Sequence, residues 1–284
     1  MDRVKTIALT ARYNFSKWLS NPRYLAILLL IVGFLINVYG PIRTFTNITK
    51  ISATPFSFPY LMSDWYINMI IFFGVIFILC DAPFIDPQQP YVMIRTGKTA
   101  WANGQILYIF LTSAVYFLAI TLLTILLLMP QVTFVNEWGK IWGTLAQTTA
   151  GEQFGVQLNI SYLIMLHYSP LEALFYSLTI SILAAFLLGL LMFILNLVTS
   201  HHYVGIIAAF AIDFLPAFSR NRVPALQYLS PTSWANLTAI DMDGTTMLPS
   251  FLYVYLFLFI CISIMIFYIN FTVKRIDYNV QPVI

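Results

Sequence analysis

Charge is what this sequence has least of. Lysine, arginine, aspartate and glutamate together make up 9% of its 284 residues, against about 25% in ordinary soluble domains. A chain so poor in charge and 60% hydrophobic cannot cover itself with a water-facing surface, and reads as an integral membrane protein. Cysteine is nearly absent. Cys80 and Cys261 both sit in apolar surroundings, so the chain has neither a disulfide framework nor a CxxC metal pattern. HExxH and GxSxG are also missing, which leaves intramembrane or interfacial hydrolysis without a supporting motif. Gly97-Lys98-Thr99 resembles the tail of a phosphate-binding loop, but the glycine needed five residues earlier is Val92. Nucleotide binding is excluded there. The net charge of +3 gives no reason to invoke nucleic acid, and no internal repeat or soluble enzyme domain is visible.

What the chain has instead is long apolar runs. Residues 24–42, 61–80, 105–128, 173–198, 204–217 and 249–273 are expected to be membrane spans, a helix of about 20 residues being enough for 30 Å of hydrocarbon. The fifth run is short and holds Asp213 and Pro216. If it dips in and returns, the count is five and the carboxy-terminal tail changes side. With six spans both termini share one side. Nine of the 14 Lys and Arg residues lie in the amino-terminal tail, the break after the second run and the carboxy-terminal tail. Positive charge marks the cytoplasmic side, so both termini are expected in the cytoplasm of a plasma-membrane, multi-pass protein. The fold expected is all-α, one transmembrane domain over residues 1–284. No cleavable leader is read at the start, because Val38-Tyr39-Gly40 is no small-residue cleavage site.

Two flanking stretches carry pattern. Residues 1–21 are amphipathic at helical period: Val4, Ile7, Ala8, Ala11, Phe15, Trp18 and Leu19 share a face, while Arg3, Thr6, Thr10 and Lys17 fall opposite, with Leu9 the one misfit on the polar side. This reads as an interfacial helix with its basic groups toward lipid headgroups. The alternative is a plain tail whose charges set topology. Residues 81–104 form a polar, proline-punctuated break. Pro87 and Pro90 reject a continuous helix, but Pro90 can open a short new one, and Gly97 allows a turn into the next span. We read a short helix along the membrane surface, with Arg95 and Lys98 near Trp101, a handle that another protein could push.

Few polar groups remain. Asp213 is costly within an apolar run and so marks a candidate substrate path, unless the run ends early and leaves it among headgroups. Asp64 and Glu172 fall at span ends. His201 and His202 read as a water-exposed turn, with no further ionisable group nearby for a relay. Residues 214–244 hold Pro216, Pro224 and Pro231 with few charges, too apolar for a free loop, and read as short re-entrant helices before the last span. Residues 131–169 are long for a loop and are expected to contain short interfacial helices.

Two local patterns, Arg95-Thr96-Gly97-Lys98-x-x-Trp101-x-x-Gly104 before the third span and Leu229-Ser230-Pro231-x-x-Trp234 before the sixth, complete an arrangement that resembles the membrane subunit of ABC-2-type (type V) exporters. Within that family the likeness is to Gram-positive exporters of amphipathic peptides, of the phenol-soluble modulin or bacteriocin type. The resemblance implies a coupling helix between spans two and three that docks on a separate ABC ATPase subunit, with Tyr91, Ile94, Arg95, Lys98 and Trp101 as candidate contacts and the amino-terminal helix beside them. It implies a second permease subunit, giving a homodimer or a close heterodimer, and ATP with Mg²⁺ on the ATPase, with no cofactor in this chain. The 131–169 loop is longer than the family arrangement leads one to expect. Other readings from different classes are a membrane-embedded immunity or assembly factor that transports nothing, and a lipid-directed enzyme.

Overall fold

The structure, a computed structural model, describes residues 3–18, 21–84, 89–199, 201–219 and 224–275. It is helical, and among the described residues β-structure is limited to two isolated bridges. Four helices are long and apolar enough to cross a membrane: α2 (Pro22–Thr49), α6 (Lys98–Leu128), α10 (Pro170–Thr199) and α13 (Phe251–Arg275); between them lie shorter ones introduced below. α10 is the most enclosed of the four and α13 the least. α6 touches α2, α10 and α13 as well as the amino-terminal helix α1 (Arg3–Ser16). α6 and α10 thus form the centre, and α13 and α2 leave wide apolar faces outward.

One run is interrupted. Residues 61–80, expected as a single span, fall into α3 (Phe58–Ser63) and α4 (Trp65–Leu79). The break is made by Asp64, extended at φ −87° and ψ 122°, whose carboxylate accepts the N–H groups of Tyr66 and Ile67 at 2.9 and 3.2 Å. An acidic N-cap satisfies the free donors of a helix start, so it starts α4 rather than extending α3. All six residues of α3 are buried. Its last carbonyls are taken by side chains: Asn68 Nδ2 donates to Met62 O at 3.4 Å and Asn236 Nδ2 to Ser63 O at 3.0 Å. A broken helix is tolerated where protein supplies such partners.

Each end of the bundle is knitted separately. At one end Arg23, opening α2, pairs with Asp81 beyond α4 at 2.6 Å. There Asn196 of α10 donates to Cys80 O and Ala82 O, and accepts the Gly205 N–H of α11 (His202–Asp213) at 2.9 Å. At the other end the long 131–169 stretch is ordered against the 53–63 segment. Ala53 and Val132 bridge. Trp142 Nε1 donates to Thr54 O and Trp138 Nε1 to Tyr168 O, and both indoles pack on Tyr60. Three short helices lie in this cap, α7 (Gly139–Gln147), α8 (Ala150–Gln153) and α9 (Tyr162–His167). Glu172 turns back at the start of α10 to accept from Ser169 N and Oγ at 2.9 and 2.8 Å, which holds its carboxyl below the usual carboxylate range.

α1 corrects one expectation. The side of α1 that meets α6 is Thr6, Thr10, Ala11 and Asn14, all buried, while Val4 is 71% exposed. The threonines assigned to the outer face therefore pack inward. The reason is close approach: Gly104 of α6 has no Cβ, and one added there would stand 2.6 Å from Thr10 Cβ. Small and hydroxyl residues suit tight helix contact in lipid. The contact is extended by Asn14, which donates to Gln105, and by Trp18, whose Nε1 donates to Tyr108 Oη at 2.7 Å.

Candidate functional site

Two places concentrate chemistry. The first is the segment between α4 and α6. Its helix α5 (Gln89–Thr96) ends where Gly97 adopts φ +83°, a sign that side chains rarely allow. Nothing would touch a Cβ there, so backbone sign alone explains the glycine. Gly97 N donates to Met93 O at 2.8 Å and Trp101 N to Gly97 O at 3.1 Å, which joins α5 to α6 through one residue. Met93 is buried under α5, and its outer side exposes Tyr91 (76%), Ile94 (79%) and Arg95. Lys98 is half-buried. Trp101 is fully buried, edge-on to Phe193 of α10 at 6.2 Å. It offers no surface to a partner and instead ties the start of α6 to α10. Residues 85–88, with Pro87, lie outside the described residues.

The second place is the end of α11. Asp213 is 1% exposed and so lies inside the protein rather than among headgroups. Both carboxylate oxygens lack a hydrogen bond of proper geometry. Thr232 faces the carboxylate, yet its Oγ1 is also unbonded. Tyr116 of α6 is within electrostatic reach. Its hydroxyl is spent on Ile71 O at 2.7 Å, in space left by Gly74 of α4, where a Cβ would meet it. Thr232 belongs to the segment after α12 (Leu215–Ser219), built of 3-10 turns at Pro224–Leu229, Ser233–Ala235 and Leu237–Ala239. Residues 230–237 are buried between α3, α4 and α10. Trp234 anchors them, donating to Gln227 O at 2.8 Å and packing edge-on to Phe257 of α13 at 5.2 Å. Ser177 of α10 donates to Ala235 O, and Asn68 of α4 to Thr232 O. A polar crevice of about 110 Å³, lined by Trp65, Asn68, Pro216, Gln227, Ser233 and Asn236 among others, adjoins this cluster.

Sequence reasoning singled out Asp213 but not Thr232, 19 positions away, which faces it, or Asn68, 145 positions away, which donates to Thr232 O. An asparagine in the apolar run after Asp64 was the one available signal for Asn68. Elsewhere an apolar crevice of about 310 Å³ opens between α2, α4 and α6 beside Trp18 and Tyr24.

No protein-family model matches the chain, and neither does any curated protein or solved structure.

Proposed function

We propose that this chain is the permease subunit of an ATP-driven, ABC-2-type exporter that moves an amphipathic or hydrophobic substrate, a peptide in the first instance, out of the cell. In this reading α4 with α3, and α11 with α12, join the four long helices as six spans, with both termini in the cytoplasm. Two copies of the chain enclose the path, and a separate ATPase holds ATP and Mg²⁺. One observation carries it. A short helix displays two large apolar side chains, Tyr91 and Ile94, away from the protein, and is joined by a single glycine to the central helix of the bundle. Exposed apolar anchors beside Arg95 are what a docking surface requires. A push on α5 passes through Gly97 to α6 and, through buried Trp101, to α10. The root of the segment is held against such a push by Asn196 and the Arg23–Asp81 pair. The polar crevice beside Asp213 is the candidate outer part of the path.

The test compares two double variants. Tyr91→Ala with Ile94→Ala removes the apolar anchors, and Arg95→Lys with Lys98→Arg conserves charge. Truncating an anchor in a docked interface costs about 2 kcal/mol or more, roughly a thirtyfold loss of affinity. A helix that only lies on lipid exchanges lysine for arginine freely, each charge being worth about 1 kcal/mol at an anionic surface. Docking is expected to lose the ATPase from detergent extracts of the alanine pair, with normal insertion, while the charge-conserving pair retains it. Wild-type copurification and transport in the alanine pair would end the reading and leave the immunity or assembly role standing.

A further inference from the structure

We infer that Asp213, Thr232 and Asn68 form a buried binding site for a monovalent metal cation of sodium size. The inference goes beyond the transport reading and does not depend on it.

The starting point is a charge in the wrong place. Asp213 is the last residue of a twelve-residue helix, where the helix dipole is negative and disfavours a carboxylate. It is buried, and among the described residues no lysine, arginine or histidine pairs with it. A buried carboxylate is kept only when something neutralises or coordinates it.

Several buried oxygens in this part of the protein lack a partner. Asn68 spends its amide N–H groups on Met62 O and Thr232 O, which leaves its Oδ1 without a partner. Thr232 Oγ1 and Ser230 Oγ are unbonded too, as are both Asp213 oxygens. Asp213, Asn68, Ser230 and Thr232 carry these five orphaned oxygens and are each at least nine-tenths buried, and Thr232 links three of the residues, its side chain facing the Asp213 carboxylate and its carbonyl accepting from Asn68. Native proteins leave few such atoms unmet. Thr232 is the hydroxyl set toward Asp213; a single donor satisfies one carboxylate oxygen and leaves the other, with Asn68 Oδ1, unmet. Buried acceptors in excess of the donors beside them call for a cation as the shared partner.

The donor set selects its class. One carboxylate with neutral hydroxyl and amide oxygens carries a single negative charge and contains no nitrogen or sulfur ligand, which suits a hard monovalent ion. Broken helices and helix C-terminal ends bind sodium in this manner at membrane depth, and here the α11 terminus packs on α4, the helix that begins at the Asp64 break. The polar crevice reaches the site through Asn68 and the neighbour of Thr232, Ser233, so a partly hydrated ion has a route. Once held, the ion would fasten α11 to α4 and to the 230–237 wedge.

The test uses the purified full chain in detergent without any ATPase, so its failure and that of the transport reading are distinguishable. Unfolding midpoints are measured in sodium, potassium and choline chloride at one ionic strength, at several pH values. The expected result is a saturable rise with sodium over choline in the wild type. In Thr232→Val the half-saturating concentration should rise at least tenfold, and in Asp213→Asn the sodium effect should vanish. Infrared difference spectra of aspartate-labelled wild type should show a carboxylate band moved by sodium, a readout that survives if Asp213→Asn does not fold. Equal midpoints in sodium and choline at every pH, or a dependence on pH alone, would overturn the site. The former would leave an ordered water, and the latter a protonated Asp213.

Discussion

Replacing Gly104 with alanine perturbs the contact through which α1 is seated. An ideal Cβ at that position would stand 2.6 Å from Thr10 Cβ, 2.8 Å from Thr10 Cγ2 and 3.2 Å from Ile7 O. Two of these atoms lie at the root of a β-branched side chain and one is backbone, so none can swing aside as a long side chain would. α1 must move away from α6. Overpacking of this kind costs about 1–3 kcal/mol. The movement also strains the Asn14–Gln105 and Trp18–Tyr108 hydrogen bonds, each worth about 0.6 kcal/mol on average between helices in lipid. A destabilisation of about 2–4 kcal/mol is therefore expected for Gly104→Ala, read as a lower unfolding midpoint in detergent and faster proteolysis within α1. Thr10→Gly removes both side-chain clashes, at about 1 kcal/mol for glycine in a helix. In that background the Gly104→Ala step should cost much less than in the wild type. Wild-type stability and a protected α1 in the single variant, or an undiminished cost beside Thr10→Gly, would refute the packing argument.

Other perturbations reach other parts of the molecule. Asn196→Leu removes three hydrogen bonds and strands the Gly205 N–H, so stability should fall by about 1–3 kcal/mol and buried Cys80 should react faster with thiol reagents. An unchanged rate would show that Asn196 does not hold the root of the segment between α4 and α6. Asp241 is held below the usual carboxylate range by the Thr246 hydroxyl at 2.7 Å, with backbone N–H groups of Gly244 and Thr246 adding to it. Because its folded value is depressed, this contribution is present above the unfolded carboxylate value and is lost as pH falls through the folded one. Thr246→Val should move the Asp241 titration upward by NMR, and coincident titrations would deny the role of the hydroxyl. With Cys80 and Cys261 replaced, single cysteines at Lys17, Lys98 and Asn279, the last outside the described residues, should be labelled from the cytoplasm and one at Lys140 from outside. External labelling at 279 would show that residues 204–217 do not span.

How legible this was depends on the kind of signal. Apolar length locates helices, so residues 24–42, 105–128, 173–198 and 249–273 correspond to α2, α6, α10 and α13; the first three are longer in the structure because helices continue past the hydrocarbon-like core of the run, and the last is the same length, shifted by two residues. Local backbone chemistry was legible too: Pro90 and Gly97 bracket α5 because ring closure and positive φ are properties of single residues. What stayed hidden depends on partners. Asp64 breaks a run whose hydropathy is continuous, because the α3 carbonyls find Asn68 and Asn236, the latter more than 170 positions away. The inward threonines of α1 are invisible to a hydrophobic-face argument, since Gly104 makes closeness rather than apolarity decide the contact. Burial of Trp101 depends on Phe193, and burial of Asp213 on a segment that returns between α4 and α10.

The transport reading meets its most direct test in the chain purified through a tag from its native membrane in mild detergent. The account predicts that an ABC ATPase accompanies it, and that the assembly hydrolyses ATP and accumulates a fluorescent amphipathic peptide in inverted vesicles. Stripped of that partner, the chain should hydrolyse none. Isolation without any ATPase under conditions that preserve its fold, or ATP turnover by the stripped chain alone, would contradict it.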